Sequence, residues 1–279
     1  MRLHLLGSAA GKPVPMPFCR CRVCENAWAV GGRDLRTRSG MHIFGDGDPP
    51  DRPQYRVDMS QDAPHQMLRD RCDLSHLEHL LFTHVHRDHC DPSNIAHRRS
   101  ILSDLGDIPM LSLYGSDEVL GSLKQALPDF DAVRVQFRLV EPFQVFDAGE
   151  MRVVPLVSAH IEGSYNYVVM LEDRTVLLAW DTGPWPQETW DVASKMRFDA
   201  VFMECTSLGP APNMGVSHLS FATMIGMRER LVREVCITGA TPFVLTHIGD
   251  NGGLTYSEQC ELAEPLGITV GYDGLLLDA

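Results

Sequence analysis

The sequence predicts an α/β or α+β unit in which sheets are covered by helices. Three observations carry that expectation. Short apolar runs of strand length recur along the 279 residues. Helical patterns alternate with them irregularly, and no repeat, long linker or low-complexity tract divides the chain. One domain spanning residues 1–279 is therefore expected.

Taken in order, the strand candidates are 3–6, 80–83, 110–114, 151–158, 167–171, 175–180, 200–204 and 243–246. Many are rich in Val, Leu and aromatic residues, and turn residues bound them. Helices are expected at 63–72, 117–127, 185–196, 220–234 and 256–265. Ser220 is a natural N-cap for the fourth, and Gly267 follows the fifth. The Pro-rich stretch 46–53 reads as a surface loop between two strands. Segments 91–108 and 209–216 read as loops able to reshape a pocket.

Composition narrows the class. Apolar residues make up 44% and charged residues 22%, which excludes a disordered or collagen-like chain. A chain this long buries a large core without staples. No apolar run approaches the roughly 20 residues that cross a bilayer. The N-terminus reaches Gly7-Ser8-Ala9-Ala10-Gly11 too soon to hold a secretory apolar region, so no membrane partner and a cytoplasmic location are expected. The formal net charge is −13, and a protein tracking a nucleic-acid backbone needs basic surface, so nucleic acid is an unlikely partner. Residues 1–40 are the exception, with seven basic and two acidic side chains. Within them Arg33, Arg36 and Arg38 either meet a small phosphorylated ligand or lie in a solvated loop. For oligomeric state the only guide is the general prevalence of homodimers.

Eight cysteines are too few for a disulfide scaffold, but Cys19, Cys21 and Cys24 have metal-binding spacing. The stronger signal is Thr83-His84-Val85-His86-Arg87-Asp88-His89, directly after an apolar strand. Residues two apart on a strand end point the same way, so His84 and His86 can converge on one cation. If the chain then turns, Asp88 and His89 can face a second. Imidazole and carboxylate at this spacing suit zinc, manganese or iron. His160, Asp181 and His247 each sit just past a strand-like run, where a sheet-borne site collects ligands.

This combination resembles the metallo-β-lactamase superfamily, whose H-x-H-x-D-H motif is matched by His84, His86, Asp88 and His89. The resemblance implies a four-layered αβ/βα sandwich with the site at the edge between the sheets. It also implies that His84, His86 and His160 hold one metal, that Asp88, His89 and His247 hold a second, and that Asp181 bridges them. Lactamases, thioesterases, nucleases and phosphodiesterases share this fold, so the fold leaves the substrate open.

Asp181 stands where a zinc β-lactamase has Cys, which counts against antibiotic hydrolysis. Gly7-Ser8-Ala9-Ala10-Gly11 followed by Cys19-Arg20-Cys21-Arg22-Val23-Cys24 resembles the opening of the PhnP-type cyclic phosphodiesterases of the carbon–phosphorus lyase pathway. Val57-Asp58, Glu141-Pro142-Phe143, Leu245-Thr246-His247 and Val270-Gly271-Tyr272-Asp273-Gly274 agree with that family. In it the three cysteines and one further side chain bind a structural zinc, the fourth ligand being a His three positions after the residue matching His247. Here that position is Asp250, and Asp also ligates zinc. The implied set is Cys19, Cys21, Cys24 and Asp250; the alternative is three reduced cysteines without metal. The remaining cysteines are expected to be buried or inert.

The resemblance implies hydrolysis of a small cyclic phosphodiester of the 5-phosphoribosyl 1,2-cyclic phosphate kind. A hydroxide bridging two zinc or manganese ions would attack phosphorus. Asp88 would orient it, and His218 would give the leaving alkoxide a proton; a His in that place serves the phosphodiesterase branch, including RNase Z. Two other readings stand beside this one. One is an RNase Z-like nuclease, although the chain is acidic and has no long basic insertion. The other is a non-hydrolytic carrier, because the opening also resembles pyrroloquinoline quinone biosynthesis protein B. That family, however, has a degenerate metal motif. His42, His65, His76, His79 and His97 are expected at the surface or behind the ligands, and Trp180 in the core.

Overall fold

The computed structural model describes residues 1–209 and 216–279. Residues 210–215, most of the loop expected at 209–216, lie outside the described residues. The first half of the chain runs through β1 (Arg2–Gly7), α1 (Arg22–Val30), β2 (Gly40–Phe44), β3 (Tyr55–Val57), α2 (Ala63–Asp70) and β4 (His79–Leu81). It continues through α3 (Pro92–Ala96), β5 (Leu111–Gly115), α4 (Asp117–Ala126) and β6 (Val135–Leu139). The second half comprises β7 (Phe146–Ala148), β8 (Met151–Val157), β9 (Tyr165–Leu171), β10 (Arg174–Ala179), α5 (Gln187–Ala193) and β11 (Ala200–Glu204). After these come α6 (Phe221–Arg233), β12 (Phe243–Thr246), α7 (Tyr256–Ala263), β13 (Thr269–Val270) and β14 (Leu275–Asp278).

Two sheets result, in the orders β14-β1-β2-β3-β4-β5-β6 and β13-β12-β11-β10-β9-β8-β7. Strand alternation explains how they stack. Leu3, Leu5, Met41, Ile43, Val57 and Leu81 point from the first sheet into a common core. Val153, Tyr167, Val169, Val176, Leu178 and Phe202 meet them from the second. The opposite faces are also apolar: Leu80, Phe82 and Leu113 pack toward α3 and α4. Leu177, Val201, Met203 and Leu245 pack toward α5, α6 and α7. Strands buried on both faces need helices outside and a sheet inside, which is the expected αβ/βα sandwich.

Several elements differ from expectation for identifiable reasons. The helix expected at 185–196 spans Gln187–Ala193, because Pro186 forces the preceding residue out of helical geometry. The last helix stops at Ala263; Glu264–Leu266 tighten into a 3₁₀ turn closed by Gly267 at φ 70°. The expected loop 91–108 contains α3, which Asp91 caps by accepting from the Ser93 N–H at 3.1 Å. Helix α1, which carries Cys24 of the cysteine cluster, is not signalled by the sequence pattern. Trp180 lies in the core as expected, 1% exposed.

Within each sheet, β3 to β6 and β10 to β13 are parallel. Their carboxyl ends share one edge of the molecule, where α/β proteins collect ligands. The inter-sheet core holds that edge rigid. Leu178→Ala is expected to destabilise the protein by about 2–5 kcal/mol, read as a lower denaturant midpoint; an unchanged midpoint would mean the core does not join the sheets.

Candidate metal centre

The histidines and carboxylates here lie in the segments that follow strands. Asp58 follows β3, the segment from His84 to His89 follows β4, Asp181 follows β10 and His247 follows β12. Asp58, Asp181 and His247 all adopt positive φ, at 57°, 39° and 51°. That conformation costs about 1–3 kcal/mol for a non-glycine residue and gathers at functional sites. It turns each side chain off its strand axis toward the shared edge.

The structure brings the seven expected catalytic ligands together as two groups that share one residue. His84, His86, His160 and Asp181 offer ligand atoms within 4.8 Å of one another, and so do Asp88, His89, Asp181 and His247. His86 Nδ1 lies 3.0 Å from His84 Nε2 and 3.1 Å from His160 Nε2. Asp181 divides its oxygens between the groups. Its Oδ2 is 3.6 Å from His84 Nε2 and 3.7 Å from His160 Nε2. Its Oδ1 is 3.0 Å from His89 Nε2 and 2.9 Å from His247 Nε2. Asp88 Oδ2 closes the second group at 3.2 Å from His89.

The donor set fits divalent cations. His89 Nε2, Asp181 Oδ1 and His247 Nε2 are buried and without a hydrogen-bond partner, yet converge within 4.8 Å. Buried polar atoms in that state call for a partner of opposite charge. The electrostatics agree. Burial raises the Asp181 carboxyl, but His247, His89 and His84 outweigh it and hold the group well below the usual range. Burial lowers His247, yet Asp181 and Asp88 push it up to about 10.

Behind the ligands lie two matched supports whose role the sequence pattern does not signal. In the first, the Thr83 hydroxyl donates to Asp58 Oδ2 at 2.8 Å and sits 3.1 Å from His84 Nδ1. Asp58 Oδ2 also meets His89 Nδ1 at 2.6 Å. In the second, the Thr206 hydroxyl donates to Glu204 Oε2 at 2.7 Å and sits 2.9 Å from His247 Nδ1. Both carboxylates are fully buried. Holding Nδ1 in this way leaves Nε2 for the metal and fixes the ring. The missed signal was the one used for Asp181, a lone carboxylate where an apolar strand ends.

His218 stands beside this centre, its ring 4.8 Å from that of His160 and 5.6 Å from that of His247. Its Nδ1 lies 2.9 Å from Glu204 Oε1. Burial lowers its pKa, but the hydrogen bond and charge of Glu204 raise it above the ordinary value.

The cysteine cluster is also assembled. Cys19, Cys21, Cys24 and Asp250 place ligand atoms within 4.8 Å of one another, with Asp250 Oδ2 3.5 Å from Cys21 Sγ and 3.9 Å from Cys19 Sγ. Burial pushes the Cys24 thiol up to about 12. A tetrahedral cation accommodates three sulfurs and one oxygen at this spacing. Among the described residues the other cysteines are free, and all but the half-buried Cys260 are buried.

Two expectations need correction. Arg33, Arg36 and Arg38 do not form a ligand-facing cluster. Arg36 is buried on Ser8, Gly271 and Gln259, Arg33 stacks 3.9 Å over the Tyr272 ring, and Arg38 pairs with Asp62 at 3.0 Å. His42 is neither at the surface nor behind a ligand. It is fully buried, 3.2 Å from the Arg56 guanidinium. His65 and His97 are exposed, while His76 and His79 are half-buried.

A histidine and carboxylate cluster on the shared edge of an αβ/βα sandwich defines a metal-binding, hydrolase-like class of protein. Within that class the chain belongs to the beta-lactamase superfamily, whose domain model matches residues 53–248. Two solved structures superpose along its length. Zinc-bound PqqB from Methylobacterium extorquens has a TM-score of 0.80 at 21% identity, covering 100% of both chains. A diphosphatase from the PhnP family has a TM-score of 0.76 at 22% identity, covering 100% of this chain and 97% of that one. Likenesses at this identity show the fold. Coenzyme PQQ synthesis protein B of Methylobacterium nodulans is 37% identical over 97 residues, 32% of this chain and 31% of that protein. The match thus spans about a third of that curated relative. No helix among the described residues is long and apolar enough to cross a membrane.

Because Asp181 touches both groups, Asp181→Ala is expected to reduce metal content at both, measured by plasma mass spectrometry; loss confined to one ion would contradict the shared role. Thr206→Val should weaken zinc at the His247 group by about 10–100-fold in a competition with a chelating dye. An unchanged affinity would reduce the Glu204–Thr206 pair to packing.

Proposed function

We propose that this protein is a metal-dependent phosphodiesterase acting on a small cyclic phosphodiester of the 5-phosphoribosyl 1,2-cyclic phosphate kind. The observation that carries the reading is the division of Asp181, one oxygen toward each histidine group. His84, His86 and His160 would hold one cation, Asp88, His89 and His247 the other, and Asp181 both. The nitrogen and oxygen donors serve zinc and manganese alike. Such a pair, when bound, lowers the pKa of water and neutralises charge on a phosphoryl oxygen.

The chain's own groups supply the rest. Asp88 is part-exposed, lines the cleft and can accept a hydrogen bond from an attacking water. His218 has its Nδ1 committed to Glu204, so Nε2 is the atom that can carry a proton to a leaving alkoxide. Glu204 is itself fixed by the Thr182 N–H at 2.6 Å and the Leu219 N–H at 3.1 Å. The cleft has a volume of about 260 Å³, which favours a small substrate over a polynucleotide, as does the net charge of −13. Cys19, Cys21, Cys24 and Asp250 would hold a separate structural zinc.

A second reading follows from the curated match to coenzyme PQQ synthesis protein B, namely a non-hydrolytic role in coenzyme assembly. The Glu204–His218 pair favours hydrolysis, because a carrier has no use for a positioned proton donor.

Metal content measured together with turnover of bis(p-nitrophenyl) phosphate separates the two. Hydrolysis predicts about three metal ions per chain, two catalytic and one structural, with turnover that a chelator abolishes. His218→Ala should retain its metals and lose about 10²–10⁴-fold in kcat. About one cysteine-bound zinc per chain with no turnover would sink the enzyme reading and favour coenzyme assembly.

A further inference from the structure

We infer that an apolar groove on the outer face of the first sheet binds a free aliphatic monocarboxylate of roughly eight to ten carbons. The inference is independent of the metal centre, whose cleft shares no lining residue with the groove. The groove holds about 350 Å³, at the lower end of the range that takes small ligands. Met67 comes from α2, Leu77 from the segment before β4 and Ile95 from α3. Leu105 and Ile108 come from the segment between α3 and β5, and Leu111 opens β5. Leu77, Ile95 and Leu111 belong to the core packed outside the first sheet, so the groove continues that core toward solvent.

One fixed charge stands on this apolar wall. Arg98 is the only lysine or arginine lining the groove, and no aspartate or glutamate lines it. The side chain is half-buried. Its Nε donates to the Val133 carbonyl at 2.9 Å, and its Nη2 to the carbonyls of Pro109 at 2.7 Å and Arg134 at 3.3 Å. Those carbonyls fix the guanidinium without neutralising it. Among the described residues Arg98 makes no ion pair, and its Nη1 has no partner. Burial and the like charge of Arg134 both hold the guanidinium below its usual pKa. Arg134 is itself spent on the Gly106 carbonyl at 2.8 Å and brings no carboxylate with it. A cation drawn out of water with only carbonyls around it calls for an anion.

The groove therefore suits a ligand with one anionic group and otherwise apolar surface. Asn94 Nδ2 is spent on the Ser60 carbonyl at 2.8 Å, and the Ser103 hydroxyl on the His97 carbonyl at 2.6 Å. Neither donor is left for the many polar groups that a peptide or a sugar would bury here. A carboxylate matches the edge of a guanidinium, and an alkyl chain needs no partner and gains from each methylene buried. The segment carrying Arg98, Leu105 and Ile108 is held by its own turns. The Ser103 N–H donates to the Arg99 carbonyl at 3.0 Å, and the Ile108 N–H to the Leu105 carbonyl at 2.7 Å. Such a preorganised wall spares a ligand the cost of ordering it.

The test is calorimetry on the metal-loaded full chain with hexanoate, octanoate, decanoate and octanol. Each added methylene should tighten binding about 3–4-fold. Octanoate should bind about 10–100-fold more tightly than octanol. Arg98→Gln should bring octanoate to the affinity of octanol, and Met67→Trp, which fills the groove and keeps the guanidinium, should weaken both. The wild-type comparison needs no variant, so it decides even where Arg98→Gln fails to fold. Octanol binding as tightly as octanoate, or an affinity independent of chain length, would overturn the inference. So would octanoate binding unchanged in Met67→Trp, which would place the carboxylate at the metal centre. An apolar tripeptide with a free carboxyl end that outcompetes octanoate would replace the alkyl ligand by a peptide.

Discussion

The centre depends on one buried carboxylate shared between two groups of imidazoles. Asp181 is 3% exposed, and an ion taken that far out of water costs several kcal/mol unless opposite charge surrounds it. Four histidines approach its two oxygens within 3.7 Å. The fold delivers it there through its neighbour. Trp180 fills the core between the sheets, and its carbonyl accepts from Asn166 Nδ2, whose own oxygen accepts from Trp185 Nε1. Packing thus fixes residue 180, and the positive φ at residue 181 turns the carboxylate toward the shared edge.

The two sheets contribute equivalent supports to this edge. Asp58 and Thr83 in the first do for His84 and His89 what Glu204 and Thr206 in the second do for His247. In each case a threonine hydroxyl is spent on a buried carboxylate and then faces an imidazole Nδ1. A hydroxyl can donate once and still accept, so one residue orients the ring and satisfies the carboxylate together. Glu204 has a further partner in His218, and the same carboxylate that sets a proposed ligand also sets the proposed proton donor.

How much of this was legible depended on how local each signal was. The run from His84 to His89 is contiguous, and four metal-ligand side chains in six residues cannot hide. His160, Asp181 and His247 were readable because each ends an apolar strand. Asp58 and Glu204 satisfy the same rule, yet Asp58 is legible only as part of a family resemblance and Glu204 not at all, since a carboxylate without metal-motif neighbours looks like any polar residue at a strand end. Arg36 shows the opposite failure. From sequence it belongs to a basic cluster, but its partners Gln259 and Gly271 come from the far end of the chain. Non-local pairing also hides β14, which joins β1 across the length of the molecule, and short edge strands such as β13.

The cysteine cluster and the cleft share one segment of chain. Asp250 lies three positions after His247, and Ile248 between them is bridged to Ala9. Asp250 faces Cys19 and Cys21 on one side while also lining the cleft. A cation at the cysteines would therefore tie the region after β1 to the loop after β12 at a point remote from the inter-sheet core. The apolar support there is small, consisting of Val14, Val23 and Ala27 with Cys21 against them. So little buried surface gives the fourteen residues that separate β1 from α1 few apolar contacts, and a metal crosslink there would supply what packing does not. With such a crosslink the cysteines would act at a distance from chemistry yet help to place Gly11, which lines the cleft with Asp250. They belong to the cleft wall as much as to the fold.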